Sequence, residues 1–265
     1  MTFGETPIAE QRSSWSPRIG LAWSPSASTT YRYAWQRLVR PATGASLAPL
    51  DTAGISLDVP GVQPGGLLTR SRAQGEWELD ARSFLTAFAD HRNIRNLYGP
   101  DGQTLNAEAS LAQYDRLRQQ GLAGVLSPEA LEASPVFAAG TVNTAGLIFE
   151  RIASDRWSWS ANYIHSKTFN IPYPQAPLPY FPTHRLGFGV NWFAPARWVI
   201  RAQAARRSER FADATGTARL APDWDLSLRA TWQDAAKRSL VEFYANNLAR
   251  DDNTRTVGAR AVWRF

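Results

Sequence analysis

The 265-residue chain contains no cysteine, which excludes a disulfide framework and a cysteine-based zinc site. Apolar residues make up 44% of it but are dispersed, and no window approaches the uninterrupted run that a membrane-spanning helix needs. The net charge of +6 is carried almost entirely by arginine; the arginines stand singly on alternating segments instead of forming a basic stripe, which argues against nucleic-acid binding.

Residues 1–14 read as an N-terminal extension without the basic and apolar blocks of an export signal, so an exported form would need a longer precursor. From Ser16 to Pro25, Ile19, Leu21 and Trp23 share one face, and Thr30 to Gln36 repeats the alternation with Tyr31, Tyr33 and Trp35. With Ser24 to Ser28 as the connection, this predicts a hairpin. Pro41 to Gly66 is rich in Pro, Gly, Asp and Ser without a period and predicts a loop. Leu67 to Leu79 sets Thr69, Ser71, Ala73 and Trp77 against Arg70, Arg72, Gln74, Glu76 and Glu78, and Phe84 to Arg92 returns after a short turn. Residues 93–139 form the longest interruption, a loop with two short helices: Leu111, Tyr114 and Leu117 have helical spacing, and Ser127-Pro128-Glu129 is a helix start.

Thr141 to Ile152 and Arg156 to Lys167 make the next pair of strands. Phe169 to Thr183 carries five prolines and four aromatics, which rules out a central strand and predicts a stiffened aromatic loop. His184 to Phe193 and Arg197 to Arg207 pair next. A polar loop follows, and then Asp223 to Gln233 alternates Trp224, Leu226, Leu228, Ala230 and Trp232 with polar residues. The closing hairpin runs from Val241, Phe243 and Ala245 through Asp251-Asp252-Asn253 to Val257, Ala259, Ala261, Trp263 and Phe265.

The connections after strands 1, 3, 5, 7 and 9 of these eleven are short and those after strands 2, 4, 6 and 8 are long, with only the link after strand 10 breaking the pattern, the asymmetry of bacterial outer-membrane barrels. Eight of the eleven tryptophans, among them Trp23, Trp77, Trp157, Trp192, Trp232 and Trp263, lie near a short turn or the C-terminus, where they would form one aromatic girdle. The predicted fold is therefore all-β: an antiparallel up-and-down transmembrane β-barrel of about eleven strands, spanning residues 1–265 and lying in a Gram-negative outer membrane. Its long loops face outward, and Phe188, Leu226 and Leu228 face lipid. The alternative is a soluble β-sandwich that binds carbohydrate through exposed aromatics.

Two stretches resemble the TonB-dependent receptor family. In the first, Pro17, Arg18, Gly20, Trp23, Pro25, Arg40 and Pro41 occupy the places of the family's mid-barrel hairpin; in the second, Asn246, Asn247, Leu248 and Phe265 match its closing hairpin. Ala249-Arg250 replaces the usual Phe-Asp, residues 60–66 lack the usual Pro-Glu segment, and the family's plug and TonB-contacting segment are absent. The resemblance implies the C-terminal part of a larger barrel. It implies ligand-gated uptake with TonB reached through a missing N-terminal plug, and insertion by the barrel assembly machinery through the strand ending in Phe265. A barrel module of an export protein, with another domain upstream, is the runner-up.

His91, His165 and His184 lie on different strands without ligand spacing, so no metal site is predicted. No GxSxG, P-loop or dinucleotide motif stands out, and the chain reads as a non-enzyme without a cofactor. Ligand contact falls to Tyr173, Tyr180 and Phe181 of the proline-stiffened loop and to Arg185, Arg201 and Arg229 on the wetted wall. That arginine field suits an anionic or oxygen-rich ligand such as a ferric chelate.

Overall fold

The computed structural model describes residues 15–39, 51–56, 62, 66–96, 137, 139–213, 215–236, 238–249 and 255–263. The strands are β1 (Arg18–Ser26), β2 (Thr29–Val39), β3 (Asp51–Thr52), β4 (Ile55–Ser56), β5 (Leu67–Asp80), β6 (Ser83–Arg95), β7 (Ala139–Ser154) and β8 (Trp157–Asn170). They continue with β9 (His184–Ala194), β10 (Trp198–Arg207), β11 (Arg210–Phe211), β12 (Arg219–Leu220), β13 (Asp223–Gln233), β14 (Ser239–Asn246) and β15 (Thr256–Trp263). Eleven of them form a single antiparallel sheet in the order β1-β2-β5-β6-β7-β8-β9-β10-β13-β14-β15. Each main strand lies beside its neighbour in sequence, the up-and-down layout expected from the alternation. The sheet is open, with β1 and β15 as its edges.

Because side chains alternate across a strand and directly opposed residues share a face, the register divides the sheet into two surfaces. Leu21 opposes Tyr33, Phe188 opposes Ala204, Leu226 opposes Ala204, and Leu228 opposes Ala202 and Ala245, all on one apolar face. Arg32 opposes Gln74, Arg72 opposes Asp90, Arg201 opposes Asn191 and Arg229, and Glu242 opposes Thr231 and Arg260, all on the other. None of the described residues forms a layer over the apolar face. Leu21 is 66% exposed, Phe188 51% and Leu228 46%.

An exposed apolar surface of this extent does not persist in water on a monomer. A sandwich would cover it with a second sheet. The only other sheets among the described residues are the two-residue pairs β3–β4 and β11–β12, so the sandwich alternative is overturned.

The five short connections sit at one end of the sheet: Ala27-Ser28, Ala81-Arg82, Asp155-Arg156, the 3-10 turn Pro195–Arg197, and the link from Gln233 to Ser239. Tryptophan gathers on the apolar face at that end. Trp157 stacks on Trp192 with ring centroids 5.7 Å apart, Trp198 opposes Trp232, and Trp23, Tyr31 and Trp77 form a second aromatic group. Their common level follows from the register, which brings the five short turns of the main sheet to the same rim.

Three expectations change. Ser24 to Ser26 belongs to β1, so the first turn is only Ala27-Ser28, with a register shift after Trp23 that absorbs Pro25. β6 reaches Arg95 and β7 begins at Ala139, which shortens the long loop predicted at 93–139. Phe169 and Asn170 close β8, so the proline-rich loop starts at Ile171, two residues beyond its predicted start. The two short helices, the Asp251-Asp252-Asn253 turn and Phe265 fall outside the described residues.

Segments predicted as plain loops also hold the small hairpins β3–β4 and β11–β12, whose strands are too short to show a period. In the first, Ala53 and Gly54 both take positive φ, at 52° and 77°, the conformation of a two-residue hairpin turn. This hairpin lies against the polar face of the main sheet. A Cβ on Gly20 would come within 2.7 Å of Thr52 Cγ2, so the close approach of β1 to the hairpin depends on glycine there.

Candidate ligand-facing wall

The polar face is where the chain buries its charges. Arg32 Nη1 donates to the Ala53 carbonyl at 3.0 Å, Gln36 Nε2 to that of Ile55 at 3.5 Å, and Arg70 Nη1 to that of Ser56 at 2.9 Å. These bonds fasten the β3–β4 hairpin to the wall. The side chain of Asp90 is completely buried and accepts two bonds from Arg70 Nε, at 2.9 and 3.0 Å, with Arg92 Nη2 at 3.0 Å and Arg72 Nη1 at 3.8 Å. One carboxylate thus binds three guanidinium groups.

Further along the sheet, Asp223 accepts from Arg207 Nε at 3.0 Å and Arg210 Nη1 at 3.2 Å. Both clusters lie toward the end of the sheet opposite the short turns. The apolar contacts made inside the fold are on this same side: Val62, Leu68, Ile94, Phe137, Val142 and Leu178 form one buried cluster.

Of the predicted ligand residues, Phe181 packs against that cluster, its ring 6.4 Å from Phe137. Leu178 and Pro179, neighbours in the same loop, are fully buried. Tyr180 is partly exposed, takes positive φ (64°), and donates its backbone N–H to the Phe211 carbonyl at 2.7 Å. Tyr173 is exposed. Loop Ile171 to Thr183 is therefore anchored at its Phe181 end, with Tyr173 free to meet solvent.

The three arginines do not form one site. Arg185 opposes Arg207 at the loop end of the wall. Arg201 and Arg229 oppose each other six residues further down β10, roughly 20 Å along the strand. There they line a concavity with Phe193, Thr231, Gln233 and Glu242. Arg201 Nε donates to Asn191 Oδ1 at 2.7 Å, while Glu242 lies 3.8 Å from Arg229 and 3.4 Å from Arg260.

The histidines are less scattered than their sequence positions imply. His165 and His184 are directly opposed on β8 and β9, with ring centroids 5.1 Å apart, and His184 Nδ1 shares a 2.8 Å hydrogen bond with the Tyr163 hydroxyl. His91 instead bonds Asn143 at 2.6 Å. No group of three His, Cys, Asp or Glu able to hold a metal occurs among the described residues.

The loop joining β11 to β12 is ordered by one carboxylate. Slight burial raises the Asp213 pKa, but hydroxyl donation from Thr215 and Thr217 and N–H donation from Thr217 and Ala218 outweigh it and hold the group well below 3.8.

Sequence reasoning missed the Asp90 and Asp223 clusters. Arg70 and Arg72 stand out in the alternation of β5, but nothing local links them to Asp90, which faces them only through the β5–β6 register. Arg210 of the second lies in a segment with no period at all.

No family model matches the sequence, and no curated protein is similar to it. Solved structures are similar in fold. The ferric yersiniabactin uptake receptor of Yersinia pestis aligns with a TM-score of 0.51 at 12% identity, over 94% of this chain and 37% of that one. The siderophore receptor PiuA from Acinetobacter baumannii gives 0.51 at 13% identity, over 92% and 34%. A mutant ferric enterobactin receptor from Pseudomonas aeruginosa, in complex with enterobactin, gives 0.51 at 14%, over 89% and 35%. The chain spans about a third of the length of these structures. Their identity with this chain is low, so the likeness is one of fold: the chain has the fold of a barrel portion of a TonB-dependent receptor.

Proposed function

We propose that residues 1–265 form part of a larger outer-membrane barrel that takes up a ligand from outside a Gram-negative cell, energised through TonB. One observation carries this reading. The same strands present an uncovered apolar face, rimmed by tryptophan at the turn end, and an arginine-rich wall on the other face. A sheet built this way is satisfied when lipid lies on one side and an aqueous lumen on the other. The edges β1 and β15 then pair with further strands, the strand ending in Phe265 is the one the barrel assembly machinery engages, and the chain is a transporter and not an enzyme.

The ligand enters at the loop end, where Tyr173 and Tyr180 offer aromatic contact, Phe181 fixes the loop and Arg185 supplies positive charge. Arg201 and Arg229 form a deeper station on the same wall. A field of this sign favours an anionic chelate, and a ferric siderophore or similar complex fits it; the comparison structures include a receptor solved with enterobactin.

Uptake by the complete protein after Tyr173→Ala and Tyr180→Ala together tests the loop contact. Affinity reduced about tenfold or more with normal membrane insertion is the expected result, and unchanged affinity removes the loop from the site.

A further inference from the structure

We propose that a row of cations at the loop end of the apolar face binds the phosphates of anionic lipid headgroups in the adjoining leaflet. The proposal rests on the membrane reading above. On the apolar face, Arg37, Arg95, Lys167 and Arg206 are all exposed and belong to β2, β6, β8 and β10, alternate strands of the sheet. Strands are about 4.8 Å apart, which spaces neighbouring members by roughly 10 Å across the sheet.

The four lie eight to twelve residues from the turn-end starts of their strands, Thr29, Ser83, Trp157 and Trp198. At about 3.3 Å per residue and a tilt of about 40°, that is roughly 20 to 30 Å along the membrane normal, the height of the apolar band. The cations therefore emerge where hydrocarbon gives way to headgroups.

Among the described residues, no carboxylate on that face answers their charge. The acidic strand residues at this end, Asp90, Asp223 and Asp225, stand on the polar face, and Glu209 in the nearby loop is paired with Arg219 at 3.0 Å. Arg206 lies over the ring of Trp224, 5.8 Å from its centre, which keeps the guanidinium at the interface without neutralising it. Between these cations and the turn-end tryptophans, the outward positions of β8, β10 and β13 carry no charge. A ring of positive charge on the border of an apolar band complements a layer of phosphate.

The test is reconstitution of the complete protein into nanodiscs of phosphatidylcholine mixed with phosphatidylglycerol, with retained lipid counted by native mass spectrometry after mild delipidation. Phosphatidylglycerol should be enriched. The combined Arg95→Gln, Lys167→Gln and Arg206→Gln variant should lose that enrichment by tenfold or more, and each single change should lower it by about fivefold, equivalent to about 1 kcal/mol per cation at a charged surface. Arg260→Gln, on the polar face, should leave it unchanged, and excess inorganic phosphate should not displace the lipid. If the combined variant fails to insert, the single variants read the same quantity. Enrichment surviving all the single changes, or insertion without headgroup preference, overturns the proposal and leaves the membrane reading intact. Failure of the unaltered protein to insert overturns both.

Discussion

On β13, Trp224, Leu226, Leu228, Ala230 and Trp232 share one face, while Asp225, Ser227, Arg229 and Thr231 share the other. The same division runs through the whole main sheet, and the two faces are packed in opposite ways. Buried groups such as Arg70, Asp90, Val142, Arg207 and Glu242 belong to the polar face, whereas Leu21, Phe188, Leu228 and Phe243 are uncovered on the apolar face. A protein surrounded by water arranges these faces the other way round. The difference teaches that the chain's own loops, held by arginines, finish the polar face, while the apolar face is left to a partner, which on the proposed reading is lipid.

The largest effect on this comparison is expected from Asp90→Ala. Removing a fully buried carboxylate takes the shared counter-charge from three guanidinium groups, and loss of such a partner costs about 3–5 kcal/mol. Equilibrium unfolding of the complete protein in lipid measures it; a cost below about 1 kcal/mol would mean that water reaches the cluster freely.

Next comes Leu228→Arg, which places a charge on the apolar face and should cost about 2–4 kcal/mol at mid-bilayer. Arg229→Leu, one residue away on the opposite face, should be mild, because Arg229 is half exposed and its Glu242 partner retains Arg260. Equal tolerance at the two positions would break the face assignment.

Much of this contrast is legible in the sequence. The alternation of Leu67 to Leu79 separates its faces as the structure does, and the turns that punctuate it locate the tryptophan rim. The rest depends on contacts that no local pattern encodes. His165 and His184 are 19 residues apart and meet only through the β8–β9 register. The β3–β4 hairpin has two residues per strand, too few for a period, and it is fixed by side chains of β2 and β5 instead of by its own propensity. The aromatic loop was legible as stiff, but its inward packing depends on the cluster around Leu178, whose members come from four separate stretches of chain.

A smaller effect is expected at the rim. Trp157→Ala removes the stack with Trp192, worth about 0.5–1.5 kcal/mol beyond the area it buries. A double-mutant cycle with Trp192→Ala isolates that coupling, and a coupling of zero would show that each ring is held by the interface alone.

The smallest is confined to the β11–β12 loop. Because the folded-state pKa of Asp213 is depressed, its contribution is present above the ordinary carboxylate range and is lost as pH falls through that range toward the folded value. Hydrogen exchange at Thr217 and Ala218 should therefore be slow at neutral pH relative to Asp213→Asn, and the two proteins should converge in strong acid. Identical protection at neutral pH would show that the carboxylate does not order the loop.

These 265 residues contain no cysteine, so the most direct test introduces a single label site into them, with any cysteine elsewhere in the complete protein replaced first. Single cysteines placed at each position from Leu226 to Trp232 in the complete protein, spin-labelled in bilayers, report whether oxygen dissolved in lipid or a water-soluble nickel chelate collides with the label. The account predicts a period of two: oxygen dominates at Leu226, Leu228, Ala230 and Trp232, and the nickel chelate at Ser227, Arg229 and Thr231. Uniform access of the nickel chelate along β13, or alternation in the opposite phase, would contradict the claim that the apolar face meets lipid.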